Sequence, residues 1–122
     1  DLLAVGARDP ATQLPIRDGS IIPEIAVAPN GNVLIVWQDA RFSGGTVDGI
    51  ALSRSTDGGL TWSAPAQVNS ARTVAAFTPS IRVRADGTIG ITYFDLRSNT
   101  ANTATLPTEL MLARSGGAPL SR

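Results

Sequence analysis

Asp and Arg carry almost all the side-chain chemistry that this sequence offers. Ten Arg balance eight Asp and two Glu, and the 122 residues contain no Lys, His or Cys. Without His the chain lacks imidazole metal ligands, His general bases and Ser-His or Cys-His nucleophile pairs, and without Cys it forms no disulfide. We therefore expect no bound metal and no cofactor, so that any chemistry must come from carboxylates and guanidinium groups.

Two Asp-x-Arg pairs, Asp39 with Arg41 and Asp95 with Arg97, each follow an apolar segment. Such a pair can form an ion pair that ties the end of a strand to the adjacent loop, and its presence in two copies favours this structural interpretation. The alternative is a polar rim that binds sugar hydroxyls, with Phe42 stacking on a sugar ring. These five residues are the candidate ligand-binding residues.

The composition is that of a globular chain. Apolar residues make up 43% of the sequence and charged residues 16%, which argues against disorder. The formal net charge is zero, so we expect neither a nucleic acid nor an anionic membrane as a partner. No apolar run approaches the roughly 18 residues of a membrane-spanning helix. Because the chain begins at Asp1, we expect it to be a processed or excised piece.

The stretch from Ser55 to Trp62 predicts a tight turn, with the pattern Ser-x-Asp-x-Gly-x-Thr-Trp. Asp57 can accept hydrogen bonds from backbone N–H groups of its own turn, and the two glycines after it tolerate a positive φ. Trp62 is expected to begin the next strand and to pack below the turn. We interpret five residues here as structural: Ser55, Asp57, Gly59, Thr61 and Trp62.

The sequence repeats itself. Residues 23–41 align without a gap with residues 79–97, at an offset of 56, and Leu52-Ser-Arg-Ser55 matches Leu112-Ala-Arg-Ser115 at an offset of 60. Self-similarity with such a period, in strand-like segments, is typical of propeller blades. The identical pairs include Ile25/Ile81, Val27/Val83, Ile35/Ile91, Asp39/Asp95 and Arg41/Arg97.

Strands are predicted throughout both copies. In the first copy they cover 22–28, 33–37, 50–55 and 62–68, and in the second copy 81–84, 88–94 and 109–115. The hairpin turns are Asn30-Gly31 and Asp86-Gly87. The continuous apolar run 33–37 indicates a strand covered on both faces. The short apolar run 2–7 can supply the fourth strand that the second copy lacks.

The turn and the repeat together resemble the Asp-box, or BNR-repeat, β-propellers of the sialidase (neuraminidase) family. The resemblance covers about residues 21–69 well and 78–115 more loosely. It implies an all-β fold of about two blades, each of four antiparallel strands. The expected units are an N-terminal strand and linker (1–20), a blade with the Asp-box (21–70) and a blade with a degenerate box (71–122).

Two such blades leave apolar faces uncovered. Three explanations stay open. The chain is an excerpt of a larger propeller, one subunit of a ring that other copies complete, or a smaller, swapped arrangement. Its expected partners are therefore further blades, from the same parent chain or from other copies, and a carbohydrate ligand.

The resemblance also implies roles for single residues. In that family an Arg-Ile-Pro motif begins the first strand, and its Arg binds the sialic acid carboxylate. The matching Arg position holds Ile21, and an apolar side chain cannot make that charge-assisted contact. The family also places an acid/base Asp in the loop after the Asp-x-Arg pair, where Asp48 is the sole candidate. A solvated loop Asp is the alternative interpretation of Asp48.

Two functions follow. The first is a non-catalytic Asp-box propeller module that binds a ligand, with glycans as the expected class, or serves as a scaffold. The second is a portion of an exo-sialidase-type glycoside hydrolase whose other catalytic residues lie outside this chain. The departure at Ile21 favours the first. The resemblance alone implies an extracellular or cell-surface location.

Overall fold

The computed structural model describes residues 4–102 and 104–115. Over these residues the chain forms seven β-strands in two antiparallel sheets and a single-turn 3-10 helix, Arg41–Ser43. The all-β prediction is confirmed. Within the same ranges no helix has the length and apolar content needed to cross a membrane.

Sheet 1 contains four strands from the first copy of the repeat, in chain order. They are β1 (Glu24–Val27), β2 (Val33–Asp39), β3 (Gly49–Ser55) and β4 (Ala66–Gln67). Sheet 2 contains three strands from the second copy, also in chain order. They are β5 (Ala76–Val83), β6 (Ile89–Asp95) and β7 (Glu109–Arg114).

The first hairpin turn of each sheet has the same geometry, as the repeat predicts. In sheet 1, Gly31 has a φ of 89° and the amide of Asn32 donates to Asn30 Oδ1 at 3.0 Å. In sheet 2, Gly87 has a φ of 87° and the amide of Thr88 donates to Asp86 Oδ1 at 2.9 Å. Both turns need a glycine because a side chain at such a φ meets its own backbone.

The two sheets pack face to face around the main apolar core. Alternate residues of β2 and β3 point from sheet 1 into this core, and alternate residues of β5 and β6 point into it from sheet 2, as the period-2 geometry of strands requires. The buried residues of the core are Leu34, Val36, Ile50, Leu52, Val68, Ala76, Ile81, Ile89, Ile91 and Tyr93. The prediction that 33–37 is covered on both faces is wrong, because Val33, Ile35 and Trp37 on the opposite face are only half-buried.

Three element predictions need correction. Trp62 does not begin a strand, because β4 starts four residues later, after Pro65. Strand β5 begins at Ala76 and not at Ile81, and its register shifts between Phe77 and Ser80. Of the predicted N-terminal strand, residues 4–7 are described and belong to no strand, so they do not complete sheet 2. Leu2 and Leu3 lie outside the described residues.

Candidate functional site

The candidate ligand-binding residues gather at one end of the two sheets, which we call the loop end. Asp39 closes β2 and pairs with Gly49 at the start of β3, and Asp95 closes β6 and pairs with Ala76 at the start of β5. The amide of Ala76 donates to the carbonyl of Asp48 at 2.9 Å, which joins the two sheets at this end. The hairpin turns after β1 and β5 and the turn 55–62 after β3 lie at the opposite end.

In the first pair, the carboxylate of Asp39 is fully buried and fixes Arg41 in place. It accepts hydrogen bonds from Arg41 Nε at 2.6 Å, from the Arg41 amide at 2.9 Å and from Trp37 Nε1 at 2.8 Å. The guanidinium carbon lies 6.0 Å from the centre of the Trp37 ring, within range of a cation–π interaction. The described residues offer the two terminal nitrogens of Arg41 no hydrogen-bond acceptor, and its side chain is 40% exposed.

In the second pair, Asp95 is also fully buried, but it engages more of its arginine. It accepts from Arg97 Nε at 2.9 Å and from Arg97 Nη2 at 2.7 Å, and Nη2 also donates to Ser70 Oγ at 3.1 Å. The hydrogen bonds to Asp95 raise the pKa of Arg97 above its ordinary value. Both Asp-x-Arg sequences therefore form the ion pairs that the structural interpretation predicted. Within the described residues, the side chain of Arg41 donates only through Nε, whereas that of Arg97 donates through Nε and Nη2.

Phe42 lies beside Arg41 in the 3-10 helix and is half-buried. The hydroxyl of Ser43 holds the surrounding loop in shape. It donates to the carbonyl of Val47 at 2.7 Å and accepts from the Val47 amide at 2.9 Å. The loop therefore presents Phe42 and Arg41 at the surface of the same short element.

Asp48 is not the solvated loop residue of one interpretation, because its exposure is 0%. Its carboxylate accepts hydrogen bonds from the amides of Val5 and Gly6, at 2.8 and 2.9 Å, and from Gln38 Nε2 at 3.1 Å. It thereby ties the N-terminal segment to the start of β3. Its acid/base role stays a prediction, and that role would require the segment around Val5 to move away and open a path for a substrate.

Sequence reasoning missed the buried polar network around Asp48. Gln38 Nε2 also donates to Asp18 Oδ2 at 3.1 Å, and Gln38 Oε1 accepts from the amide of Thr78 at 2.9 Å. Thr78 has a φ of 52°, which a β-branched residue adopts only when its surroundings hold it there, and its hydroxyl donates to the carbonyl of Asp18. The one available signal was a polar Gln38 on the face of β2 that otherwise carries Leu34 and Val36.

Hydrogen bonds outweigh burial at Asp18. Burial alone raises the pKa of its carboxyl group. The amides of Ala7 and Ser20 and the side chain of Gln38 all donate to that carboxylate, and together they hold its pKa below the ordinary value. Asp18 therefore anchors the N-terminal segment as an ionised group, alongside Asp48.

The turn from Ser55 to Trp62 is closed by hydrogen bonds among its own residues. Asp57 Oδ1 accepts from the amide of Thr61 and from Ser55 Oγ, both at 2.9 Å, and Ser55 Oγ accepts from the amide of Gly59 at 2.8 Å. The hydroxyl of Thr61 also donates to Asp57, and this bond leads the group of hydrogen bonds that lower the pKa of Asp57 to about 2. Trp62 Nε1 donates to the carbonyl of Gly59 at 3.1 Å, so its ring lies against the turn. These contacts are structural.

Ile21 borders the same groove as Trp37, the residue that donates to Asp39. Ile21 is 89% exposed and borders an apolar groove of about 700 Å³ on the outer side of sheet 1. Ile35, Trp37 and Trp62 also line this groove. In the described residues no group of three or more acidic side chains is placed to hold a metal ion.

A comparison with models of known protein families gives no match, and a search of curated proteins finds no similar sequence. The resemblance to Asp-box propellers accordingly depends on the motif and the repeat described above.

Proposed function

We propose that the chain is a module of a sialidase-like Asp-box β-propeller that binds a ligand at its loop end and is not catalytic by itself. Glycans are the expected ligand class. The proposal is supported by the Asp-box sequence, by the repeat, and by two sheets that pack as neighbouring blades would. The extracellular or cell-surface location belongs to the same proposal and depends on the resemblance alone.

The observation that carries the proposal is the state of Arg41. A buried carboxylate holds its Nε, the Trp37 ring lies beside it, and its terminal nitrogens have no acceptor among the described residues. A guanidinium fixed in this way has already lost most of its rotamer freedom, so a ligand that it binds needs little further ordering. Its two outer N–H groups suit a carboxylate or a pair of sugar hydroxyls, and the neighbouring Phe42 supplies an aromatic face.

A glycan array followed by titration calorimetry tests this proposal. We expect the wild-type protein to bind at least one glycan and Arg41→Ala to weaken that binding about 10- to 100-fold, the usual range for a lost charge-assisted hydrogen bond. Arg84→Ala is the matched control, because Arg84 lies beside the hairpin turn at the opposite end. Equal binding by the wild-type protein and Arg41→Ala, or no glycan bound at all, would reject the proposal.

The hydrolase alternative has less support. Ile21 cannot bind a carboxylate, and Asp48 is enclosed by the N-terminal segment. A fluorogenic sialoside assay distinguishes the two. Turnover that disappears in Asp48→Asn, at a temperature where this variant is still folded by circular dichroism, would favour the hydrolase. We expect no turnover from this chain.

A further inference from the structure

Equivalent residues in the two copies of the repeat have opposite burial. Ile25 in β1 is 62% exposed, whereas its equivalent Ile81 in β5 is 1% exposed. In the other direction, Leu52 in β3 is 7% exposed, whereas its equivalent Leu112 in β7 is 64% exposed. The side chains are the same in kind, so the difference comes from what covers them.

This inversion defines two types of sheet face. We call the face of Ile81, Ile91 and Tyr93 the front of sheet 2, so the front of sheet 1 is the equivalent face of Ile25, Ile35 and Trp37. The opposite faces are the backs, which carry Leu52 in sheet 1 and Leu112 in sheet 2. The core forms where the back of sheet 1 lies on the front of sheet 2.

The sheets therefore pack head to tail, and each leaves one face open. The front of sheet 1 exposes Ile25 and Val27, and the back of sheet 2 exposes Leu110 and Leu112. When a front binds a back of another molecule, the resulting complex still has one free front and one free back, so further molecules can add. Exposed apolar surfaces of this kind mark interaction sites.

We infer that the front of sheet 1 binds the back of sheet 2 of a second copy of this chain. The interface between the two sheets of one molecule is the precedent, since it joins the back of the first copy of the repeat to the front of the second copy. The sizes of the residues also match. The back of sheet 2 has Gly90 and Thr92 where the back of sheet 1 has Leu34 and Val36, and the front of sheet 1 has the larger Trp37 where the front of sheet 2 has Tyr93. The small side chains on the back of sheet 2 would therefore leave room for the ring of Trp37 from a second copy.

Head-to-tail contacts close into a ring or continue as a filament. Known propellers have about four to eight blades, which corresponds to about two to four copies of a two-blade chain. This inference shares the blade arrangement with the proposed function, and Trp37 belongs both to the front of sheet 1 and to the surroundings of Arg41. The assembly test substitutes Ile25 and Leu112, whereas the glycan test substitutes Arg41. A wild-type protein that stays monomeric can still bind a glycan, so the two proposals can fail separately.

The experiment is sedimentation velocity on the 122-residue protein, from micromolar to near-millimolar concentrations. We expect the wild-type protein to form complexes that are multiples of its 12.6 kDa mass. Ile25→Arg disables the front and Leu112→Arg disables the back. Each should weaken association more than about 100-fold, because the interface would then bury an unpaired charge. Both side chains are mostly exposed already, so the monomers should fold. Leu14→Arg is the control, since Leu14 is also 64% exposed but lies on neither face.

Mixing the two variants tests the head-to-tail geometry. Ile25→Arg keeps an intact back and Leu112→Arg keeps an intact front, so an equimolar mixture should form a dimer although each variant alone is a monomer. The double variant should not associate with itself. A monomeric wild-type protein would overturn the inference. So would association of Leu112→Arg alone, since that result indicates contact between like faces, and so would a mixture that stays monomeric.

Discussion

Replacing Asp48 by Ala should destabilise the protein strongly, although the residue lies in a loop. The change removes the acceptor of three hydrogen bonds, two from the backbone of Val5 and Gly6 and one from the buried side chain of Gln38. The two partly buried backbone donors lose about 0.5–1.5 kcal/mol each, and the buried amide hydrogen left without an acceptor costs about 1–3 kcal/mol. We expect a loss of about 3 kcal/mol, which is a large part of the roughly 5–15 kcal/mol that stabilises a typical domain.

Urea denaturation at a fixed protein concentration measures this loss. With a slope of about 1.5 kcal/mol per molar urea, the midpoint should fall by about 2 M. Asp48→Asn should lie between the wild-type protein and the alanine variant, because its single amide oxygen still accepts part of the network. Asp86→Ala is the control, since this exposed carboxylate accepts from one neighbouring amide, and it should change the stability by less than about 1 kcal/mol.

Hydrogen exchange then locates the effect. In Asp48→Ala the amides of Val5 and Gly6 should exchange much faster than in the wild-type protein, while those of β6 should follow global stability. If Asp48→Ala is no less stable than Asp86→Ala, the network does not stabilise the fold and the reasoning is refuted. A loss of stability with unchanged exchange at Val5 and Gly6 would refute the proposed anchor.

Three more measurements test single contacts. Gly49→Ala should cost about 1–3 kcal/mol, because the new Cβ would lie 2.8 Å from a side-chain oxygen, whereas Gly90→Ala should change stability little, since its nearest contact is at 3.8 Å. Arg97→Ala should destabilise the protein by about 1 kcal/mol more than Arg41→Ala. After Arg41→Ala the buried Asp39 still accepts from Trp37 Nε1, whereas after Arg97→Ala the buried Asp95 has no tryptophan donor. The folded pKa of Asp57 is about 2, below its ordinary value of 3.8. The ionised Asp57 therefore stabilises the fold above about pH 4, and this stabilisation is lost as the pH falls towards 2. In Asp57→Asn the urea midpoint should depend less on pH over that range. Equal effects within either pair of substitutions, or an unchanged acid profile, would contradict these assignments.

The turns and the ion pairs of this protein could be predicted from its sequence because their hydrogen bonds are local. The turn 55–62, the two hairpin turns and both Asp-x-Arg pairs join residues at most four positions apart, so residue type and spacing nearly determine their partners. The repeat located the strands for a similar reason, because turn residues and alternating apolar side chains act over a few positions. Trp62 was the exception, since its ring packs on the turn that precedes it and Pro65 delays the next strand.

The tertiary structure alone decided which groups meet across the fold. Asp48 accepts a hydrogen bond from Val5, 43 positions away, and Gln38 accepts one from Thr78, 40 positions away. No local sequence pattern encodes contacts of that span. The tertiary structure also decided that Asp48 is buried, that the described residues give the terminal nitrogens of Arg41 no acceptor, and which face of each sheet is covered. Whether a strand residue is buried depends on which element packs over it and not on the sequence of the strand itself. The sequence therefore determined the two similar sheets, whereas their order of packing gave the same side chains a buried place in one sheet and an exposed place in the other.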